Sequence, residues 1–294
     1  MSIKGTVGIY FTSTGVGGAP RADLVAAART VESLGYGAIW YGESSAREAL
    51  TEAALILSCT ESITVGSAVA SIYGRDPMTM ANGARTLAEA WTDRFLLGIG
   101  VSHAHLATQR GQTFGPPTKT LEQYVQRLRQ APWTGGTETP LPPLLIGANG
   151  PRMISVASRL ADGVITHLVD RDHTARTRAS LGQERLLVVL QPVFENGDGD
   201  EGADGGEVPE PVSRFMTSRW ENPIYRRSLE RMELTNDDAT TRAVVALGGI
   251  DAIGGRVQAH IDAGADHVVL WPLGTGSLGA AAERLSPLAK SVRR

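Results

Sequence analysis

The sequence predicts one α/β domain over residues 1–294, a TIM (β/α)8 barrel with a helical and loop segment inserted before the last β-strand. Eight short apolar runs alternate with longer segments of helical periodicity, which is the pattern of repeated strand-helix units. Most of these runs are continuously apolar, as expected for parallel strands that are covered on both faces. No Gly-x-Gly-x-x-Gly turn follows the first run, so the closed barrel is favoured over an open, doubly wound sheet.

The strand candidates are short runs of apolar and β-branched residues. In order they are Thr6–Phe11, Ala38–Tyr41, Ile63–Ala70, Arg94–Gly98, Leu144–Gly147, Gly163–His167, Leu186–Leu190 and His267–Trp271. Helical segments between them include Arg21–Leu34, Ala46–Ser58, Thr79–Ala90, Thr118–Gln130, Arg152–Leu160 and Ile250–Ala263. Gly35 and Gly264 are predicted to end helices in the left-handed conformation, which glycine adopts without steric cost.

Two loops and one insertion interrupt the regular alternation. The first loop, Thr12–Ala19, has glycines at a spacing that does not match a dinucleotide fingerprint, and we expect a flexible lip of the barrel. Glu195–Pro211 is rich in Gly, Asp, Glu and Pro, which predicts a mobile acidic loop. Val212–Leu247 has helical character, and Trp220 and Tyr225 in it could pack over the barrel mouth. Residues 195–247 are therefore predicted to form a mobile loop followed by a lid.

Composition excludes several classes of function. The formal net charge of -3 is too close to neutral to indicate nucleic acid or an anionic membrane as a partner. The single cysteine, Cys59, allows no intramolecular disulfide and no cysteine metal cluster, and its apolar surroundings predict an inert thiol. No His, Asp or Glu cluster has metal-ligand spacing. The N-terminus lacks signal-peptide features and no apolar stretch approaches about 18 residues, so we expect a cytoplasmic protein with no membrane contact that acts on a small molecule.

The functional residues of such barrels come from the carboxyl ends of the strands and the loops that follow. Glu43, after the second strand, could act as a base or anchor a polar ring edge, or could only cap the helix that starts near Ser45. His103, after the fourth strand, could donate a hydrogen bond or move a proton, or could be a surface histidine. We predict Glu43 and His103 as the catalytic pair. His105 lies further into the loop and is expected to be exposed.

Other strand ends supply candidate substrate contacts. His167, Gln191 and Trp271 close the sixth, seventh and eighth strands and are predicted to line the substrate pocket, although His167 fits a structural role as well. Arg75 could clamp an anion, or could pair with Asp76 or Glu43.

The loop Gly147–Met153 has the features of a phosphate site. Gly147 and Gly150 leave backbone N–H groups accessible, and Pro151 suits the first position of the next helix. A helix N-terminus with free N–H groups attracts an anion. Any strand-to-helix junction favours Gly and Pro, so a purely structural turn remains the alternative.

Several segments, in chain order and spread over nearly the whole sequence, resemble the luciferase-like monooxygenase superfamily. This group contains bacterial luciferase, flavin-dependent monooxygenases and oxidoreductases that use the deazaflavin coenzyme F420. The matching segments are Leu34–Trp40, Ile63–Val69, Ser71–Pro77, Asp93–His103, Gly147–Met153, Ala161–Val164, Gly249–Ala252 and Ala263–Leu270. The segments around strands two to four are more similar to the branch that uses F420.

The resemblance implies where a cofactor would bind. The ring would lie at the barrel mouth against a bulge in the third strand, with a cis peptide at Ala68–Val69. The phosphate of the cofactor tail would lie on Gly147–Pro151. The implied cofactor-binding residues are Ala68, Val69, Ser71, Ser102, His103, Gly147, Ala148, Asn149, Gly150, Pro151 and Met153. Many relatives carry an acid-histidine pair after the second strand, whereas this chain has Glu43-Ser44, so Glu43 would act alone or with His103.

Three functions follow from this resemblance. The leading hypothesis is hydride transfer between coenzyme F420 and a small organic substrate. The first alternative is an FMN-dependent monooxygenase that works with a flavin reductase, and the second is a flavin-binding barrel without catalysis. The resemblance also implies a homodimer, with a flavin or F420 reductase as a further possible partner.

Overall fold

The computed structural model describes residues 3, 5–11, 19–135, 137–196, 207–274 and 277–291. Most of the predicted lip, Thr12–Ala19, and most of the predicted acidic loop therefore lie outside the described residues. The strands are β1 (Val7–Phe11), β2 (Ala38–Tyr41), β3 (Thr64–Ser67), β4 (Ala70–Ser71), β5 (Phe95–Gly100), β6 (Leu144–Gly147), β7 (Gly163–His167), β8 (Leu186–Glu195), β9 (Ala246–Gly248) and β10 (His267–Pro272).

Helices connect these strands along the chain. They are α1 (Arg21–Ser33), α2 (Ala49–Ser58), α3 (Pro77–Ala90), α4 (Ala104–Gln109), α5 (Pro117–Arg129), α6 (Pro151–Leu160), α7 (Arg171–Leu181), α8 (Glu210–Glu221), α9 (Pro223–Arg231), α10 (Asp238–Val244), α11 (Ile250–Asp262) and α12 (Leu278–Ser291). Gly35 and Gly264 follow helices at φ +87° and +99°, which confirms the predicted left-handed ends.

The strands close into a parallel barrel, as the sequence predicted. The hydrogen-bonded order is β10-β1-β2-β3-β5-β6-β7-β8, and pairing between β8 and β10 closes the ring. β3 and β4 are the two halves of the third barrel strand, and both pair with β5. β9 pairs with the end of β8 and lies outside the ring of eight.

Alternation along the strands separates a barrel interior from an outer layer that faces the helices. The interior cluster contains Tyr10, Ala38, Trp40, Leu96, Leu145, Ile165, Val188, Leu190 and Val269. Trp40 is fully buried there and lies over Gly66, where a Cβ would approach its ring to 2.5 Å. A glycine is therefore required beside this indole.

Two strands are longer than their sequence pattern indicates. β5 continues through Gly100, and β8 continues five residues past Leu190 to Glu195. Glu195, predicted to begin the acidic loop, is instead a strand residue whose carboxylate accepts from Arg284 at 2.9 Å. α2 begins at Ala49, later than predicted, because the Glu48 side chain accepts from the N–H groups of Leu50 and Thr51.

The insertion consists of the three helices α8, α9 and α10 between β8 and β9, as its composition predicted. α8 and α9 are anchored by Val212, Met216 and Leu229, which are buried against the outer core. Among the described residues, no helix combines the length and the apolar character that a bilayer crossing requires.

One buried carboxyl group makes the stability of this fold depend on pH. Glu52 on α2 is 2% exposed, and its Oε1 atom has no hydrogen-bond partner among the described residues. Burial raises its pKa from 4.5 to about 7. The folded pKa lies above the unfolded value. The stability that protonated Glu52 contributes is therefore fully present below about pH 4.5, and it is lost as the pH rises through about 7.

We therefore expect Glu52→Gln to increase the free energy of unfolding at pH 8 by on the order of 3 kcal/mol, and to have little effect near pH 4.5. Urea denaturation of both proteins at several pH values measures this difference. Glu61→Gln, at an exposed position, is the control and should follow the wild-type curve. Equal pH dependence in wild type and Glu52→Gln would show that Glu52 is not the group responsible.

Candidate active site

Aromatic and histidine rings meet above the carboxyl ends of the strands. Trp271 at the end of β10 lies 4.9 Å, between ring centroids, from both Tyr10 and His167. Tyr225, on α9, contacts His103 and His167 edge-on at 5.5 and 5.6 Å. The structure thus brings together His103, His167 and Trp271, three of the residues predicted from separate strand ends. We call these five rings the mouth cluster.

Helices α8 and α9, from the segment predicted to form a lid, each contribute an aromatic ring that contacts this cluster. Phe215 on α8 packs edge-on against Trp271 at 5.3 Å. Of the two predicted lid aromatics, only Tyr225 joins the cluster, whereas Trp220 packs against the outer core. Which of the two would face the barrel could not be predicted, because both are aromatic residues on short helices.

Several polar atoms of the mouth are buried without a hydrogen-bond partner among the described residues. These are both ring nitrogens of His167, Nδ1 of His103 and Nε of Arg219. Burial and, to a smaller extent, the charge of Arg219 lower the pKa of His167 to about 3. Burial also lowers the pKa of His103. Both imidazoles are therefore neutral at pH 7 and can accept or donate one hydrogen bond at each nitrogen.

The third barrel strand breaks at a cis peptide between Ala68 and Val69, the position that the resemblance implied. Two hydrogen bonds join this break to the end of β2 and the loop after it. The Ala68 N–H donates to the Tyr41 carbonyl at 2.6 Å, and the Glu43 N–H donates to the Val69 carbonyl at 3.3 Å. Val69 itself then lies against bare backbone, as a Cβ on Gly100 or Gly147 would come within 2.6 or 3.1 Å of its methyl groups. Three neighbouring strand ends therefore converge at Val69.

The Glu43 carboxylate is bound to the loop after the break. Its oxygens pair with the Arg75 guanidinium and accept the Ser71 N–H at 2.7 Å, and the side chain is 4% exposed. Arg75 also pairs with Glu48 at 2.7 Å. Glu43 does not cap α2, because the Glu48 side chain does so. The Glu43 carboxylate makes only a long 3.4 Å contact with the Ala49 N–H at the start of that helix. Arg75 was expected either to bind an anion or to pair with Asp76 or Glu43, and the structure shows the pair with Glu43.

The loop after β6 presents the N-terminus of α6 with no side-chain cap on Gly150. A Cβ on Gly150 would lie 3.2 Å from Nη1 of Arg231, so this guanidinium stands beside the helix terminus. Pro151 is the first residue of α6, and Met153 is half-buried against the outer core. Sequence reasoning missed Arg231, which lies about eighty residues away and has no local signal.

Asn149, predicted to bind cofactor, has its side chain bonded within the protein. Its amide nitrogen donates to the His167 carbonyl at 2.6 Å and to the Ser228 hydroxyl at 3.1 Å, and its oxygen accepts the His167 N–H at 3.0 Å. Ala148 is buried and donates its N–H to the Ile165 carbonyl. Asn149 therefore fixes the end of β7, and with it His167, beneath α9.

Gln191 does not join the mouth cluster. Its amide donates to the Val244 carbonyl at 3.0 Å, and its oxygen contacts His260 Nε2 at 2.8 Å. Leu190 faces the interior, so alternation turns Gln191 outward. The expectation failed because β8 does not end there, and the strand end could not be located from its apolar run.

The loops around the mouth contain unusual backbone. Ser102 and Leu168, which follow β5 and β7, adopt positive φ values of +55° and +54°. Non-glycine residues seldom take this conformation, and it concentrates at functional sites. His105 is exposed, as expected, and stacks on His103 at 5.7 Å.

A family model for luciferase-like monooxygenases matches residues 7–185, which is more than half of the chain. The chain belongs to the luciferase-like monooxygenase family. Members of this family are enzymes, and the expected class, a luciferase-like oxidoreductase or monooxygenase, is confirmed at that level.

One relative is named for coenzyme F420. A provisionally named coenzyme F420-dependent oxidoreductase of Mycobacterium tuberculosis is 28% identical over 173 residues, which cover 48% of this chain and 49% of the relative. The chain thus matches about half the length of that relative.

Two solved structures have the same fold. An F420-dependent secondary alcohol dehydrogenase in complex with an F420-acetone adduct superimposes with a TM-score of 0.74 at 13% identity, covering 98% of this chain and 100% of that chain. The oxygenating constituent of 3,6-diketocamphane monooxygenase from Pseudomonas putida, in complex with FMN, has a TM-score of 0.74 at 14% identity, covering 99% and 98%. These likenesses establish the closed barrel.

Removal of the Glu43 carboxylate should destabilise the loop after β4. Glu43→Ala leaves the buried Ser71 N–H unpaired and Arg75 with a single half-exposed partner, which we expect to lower the free energy of unfolding by about 3–5 kcal/mol. Glu48→Ala is the matched control, because Glu48 is 45% exposed and its loss should cost only about 1–2 kcal/mol. Urea denaturation measures both values. Equal losses in the two variants would contradict the anchoring role of Glu43.

Proposed function

We propose that the protein is an oxidoreductase that transfers a hydride between coenzyme F420 and a small organic substrate at the barrel mouth. The observation that carries this proposal is the convergence at Val69 of the broken third strand with the glycines of β5 and β6. Gly100 and Gly147 leave room for the Val69 methyl groups, which holds Val69 in the position against which a planar ring would lie. The F420-named relative supports the choice of cofactor.

The charged tail of such a cofactor could bind at the loop after β6, where α6 begins. The N-terminus of α6 has no side-chain cap, and it presents the positive end of the helix dipole, which attracts a phosphate. Arg231 adds a full positive charge beside Gly150. We therefore assign the tail to Gly150, Pro151 and Arg231. Ala148 and Asn149 would shape this site through their backbone and internal hydrogen bonds.

Bound F420 would supply a ring carbon that accepts or donates a hydride. His103 is the residue that we propose to move the accompanying proton. It is neutral at pH 7, and its Nε2 atom lies 3.5 Å from the Tyr225 hydroxyl, which could relay the proton toward solvent. Glu43 would act indirectly, by holding the strand break against which the ring binds, instead of serving as the base.

An FMN-dependent monooxygenase is the second candidate, favoured by the equal structural similarity to an FMN-bound oxygenating protein. In that case reduced flavin would have to come from a separate reductase, and the same mouth would exclude water from the reacting ring. A homodimer remains a prediction from the resemblance, and a cytoplasmic location remains a prediction from the sequence pattern. A barrel that only binds flavin would hold cofactor firmly without turnover.

Absorbance titration of the protein with F420 and, separately, with FMN tests the assignment. We expect F420 to bind more tightly than FMN; tight FMN binding with no F420 binding would reject the F420 proposal in favour of the monooxygenase. Gly100→Ala should weaken the preferred cofactor by about tenfold or more, because its Cβ would lie 2.6 Å from Val69 and displace it.

The control for this substitution is Gly255→Ala on α11, where a Cβ meets nothing within 4 Å. It should leave cofactor affinity unchanged and, as a glycine replaced in a helix, stabilise the fold slightly. Equal cofactor binding by Gly100→Ala and Gly255→Ala would place the ring elsewhere.

His103→Asn should lower turnover by about 100-fold or more and spare cofactor affinity, because a positioned acid-base group contributes about that factor. Oxidation of substrate by the wild type should slow as the pH falls through the His103 pKa, which lies below 6.5, since protonation removes the base. The acid limb should be absent in His103→Asn. His105→Gln, at the exposed neighbour, is the control. Steady-state rates across pH, with a substrate found from an alcohol and carbonyl panel, measure both effects.

A further inference from the structure

Arg219 places a positive charge directly over the mouth cluster. Its guanidinium carbon lies 4.4 Å from the ring centroid of Phe215, 5.1 Å from that of Tyr225 and 5.6 Å from that of Trp271. These rings come from α8, α9 and β10, so the guanidinium stands where the lid helices meet the barrel. Its charge acts on both mouth histidines and lowers their pKa values.

No carboxylate pairs with Arg219 among the described residues, in contrast to Arg75 and Arg178. Arg75 pairs with Glu43, and Arg178 pairs with Asp266 at 2.6 Å. The one side-chain oxygen near Arg219 is the Ser218 hydroxyl at 3.3 Å from Nη1, and the Nε–H is buried without an acceptor. Aromatic faces stabilise a cation only in part. A partly buried charge is stabilised by a counter-ion, so an anion would complete the site.

The protein groups that face Arg219 cannot supply this anion. Two are imidazoles, His103 and His167, which are neutral at pH 7. The others are the phenols Tyr10 and Tyr225, and burial raises both of their pKa values. Since none of the described residues that face Arg219 supplies the anion, a bound molecule is the source that we consider.

The site proposed for the cofactor tail contains a different cation, Arg231. Along α9, Tyr225 faces the mouth, Ser228 contacts Asn149 and Arg231 stands beside Gly150. These residues follow at three-residue spacing, so Tyr225 and Arg231 are separated by about 9 Å along the helix axis. Two cations thus serve two regions, Arg231 at the helix terminus and Arg219 over the rings.

We propose that Arg219 is a specificity-determining residue that binds the carboxylate of the substrate, and that the substrate is an organic acid with an apolar or aromatic body. The planar guanidinium matches a carboxylate with two parallel hydrogen bonds. Tyr10, His167 and Trp271 provide aromatic surface for the rest of the molecule. The assignment of this acid as a redox substrate rests on the proposed function, but its binding does not.

Calorimetric titration of the full chain with phenylacetate and with its neutral isostere phenylacetamide tests the proposal. Wild type, with and without the cofactor it binds, should prefer the acid by roughly 30-fold, the effect of a desolvated charge pair. Arg219→Gln should bind the two probes equally, and Arg219→Lys should retain part of the preference. Arg214→Gln, an exposed arginine on the same helix, is the matched control and should behave as wild type.

The outcomes separate this inference from the proposed function. Wild type that shows no preference for the acid overturns the inference, and this measurement does not require that any variant folds. Acid preference retained in Arg219→Gln also overturns it. If that variant instead loses cofactor binding and wild type shows no acid preference, Arg219 belongs to the cofactor site. Acid preference in a wild type that binds neither F420 nor FMN would reject the proposed function and leave the acid site standing.

Discussion

The hydrogen bonds that hold the break in the third strand determine the arrangement of the mouth. The Glu43 carboxylate accepts the Ser71 N–H just past the break, and Arg75 neutralises its charge. A buried carboxylate is tolerated only when it is paired and hydrogen-bonded, so neither partner is dispensable. With the break fixed between β2 and β5, Val69 packs on the backbone of its neighbours. A barrel strand that continued without interruption would give no such surface.

The inserted helices contribute positive charge at the mouth, whereas the strand ends of the mouth cluster contribute neutral rings. Helices α8 and α9 contribute the cations Arg219 and Arg231 at two separate points. Neutral histidines are expected in this setting, because two imidazolium groups beside Arg219 would repel it in a region with little water. In the proposed function, the inserted helices would select the charge of the molecules that bind at the mouth, and the barrel would select their shape.

Strand number, strand order and the position of the bulge could be predicted because each depends on local pattern or on a family-wide segment. Side-chain direction was less predictable. Gln191 faces the outer layer because side chains alternate along β8 and Leu190 faces the interior, and Gln191 and Pro192 conceal the extension of this strand to Glu195. Asn149 sits in the predicted loop, but its amide is bonded to the backbone around His167. Such pairings form between residues far apart in the chain and leave no local signal.

By itself, the sequence determined the closed barrel and the helix that begins at Pro151, because hydrophobic periodicity and helix-start preferences act over a few residues. Only the tertiary structure decided that Glu43 is held by Arg75, and that Arg219 lies over the mouth without an acidic partner among the described residues. The reason is that charge pairing depends on distance in space. The sequence can state which charged groups exist, and the fold alone decides which of them meet.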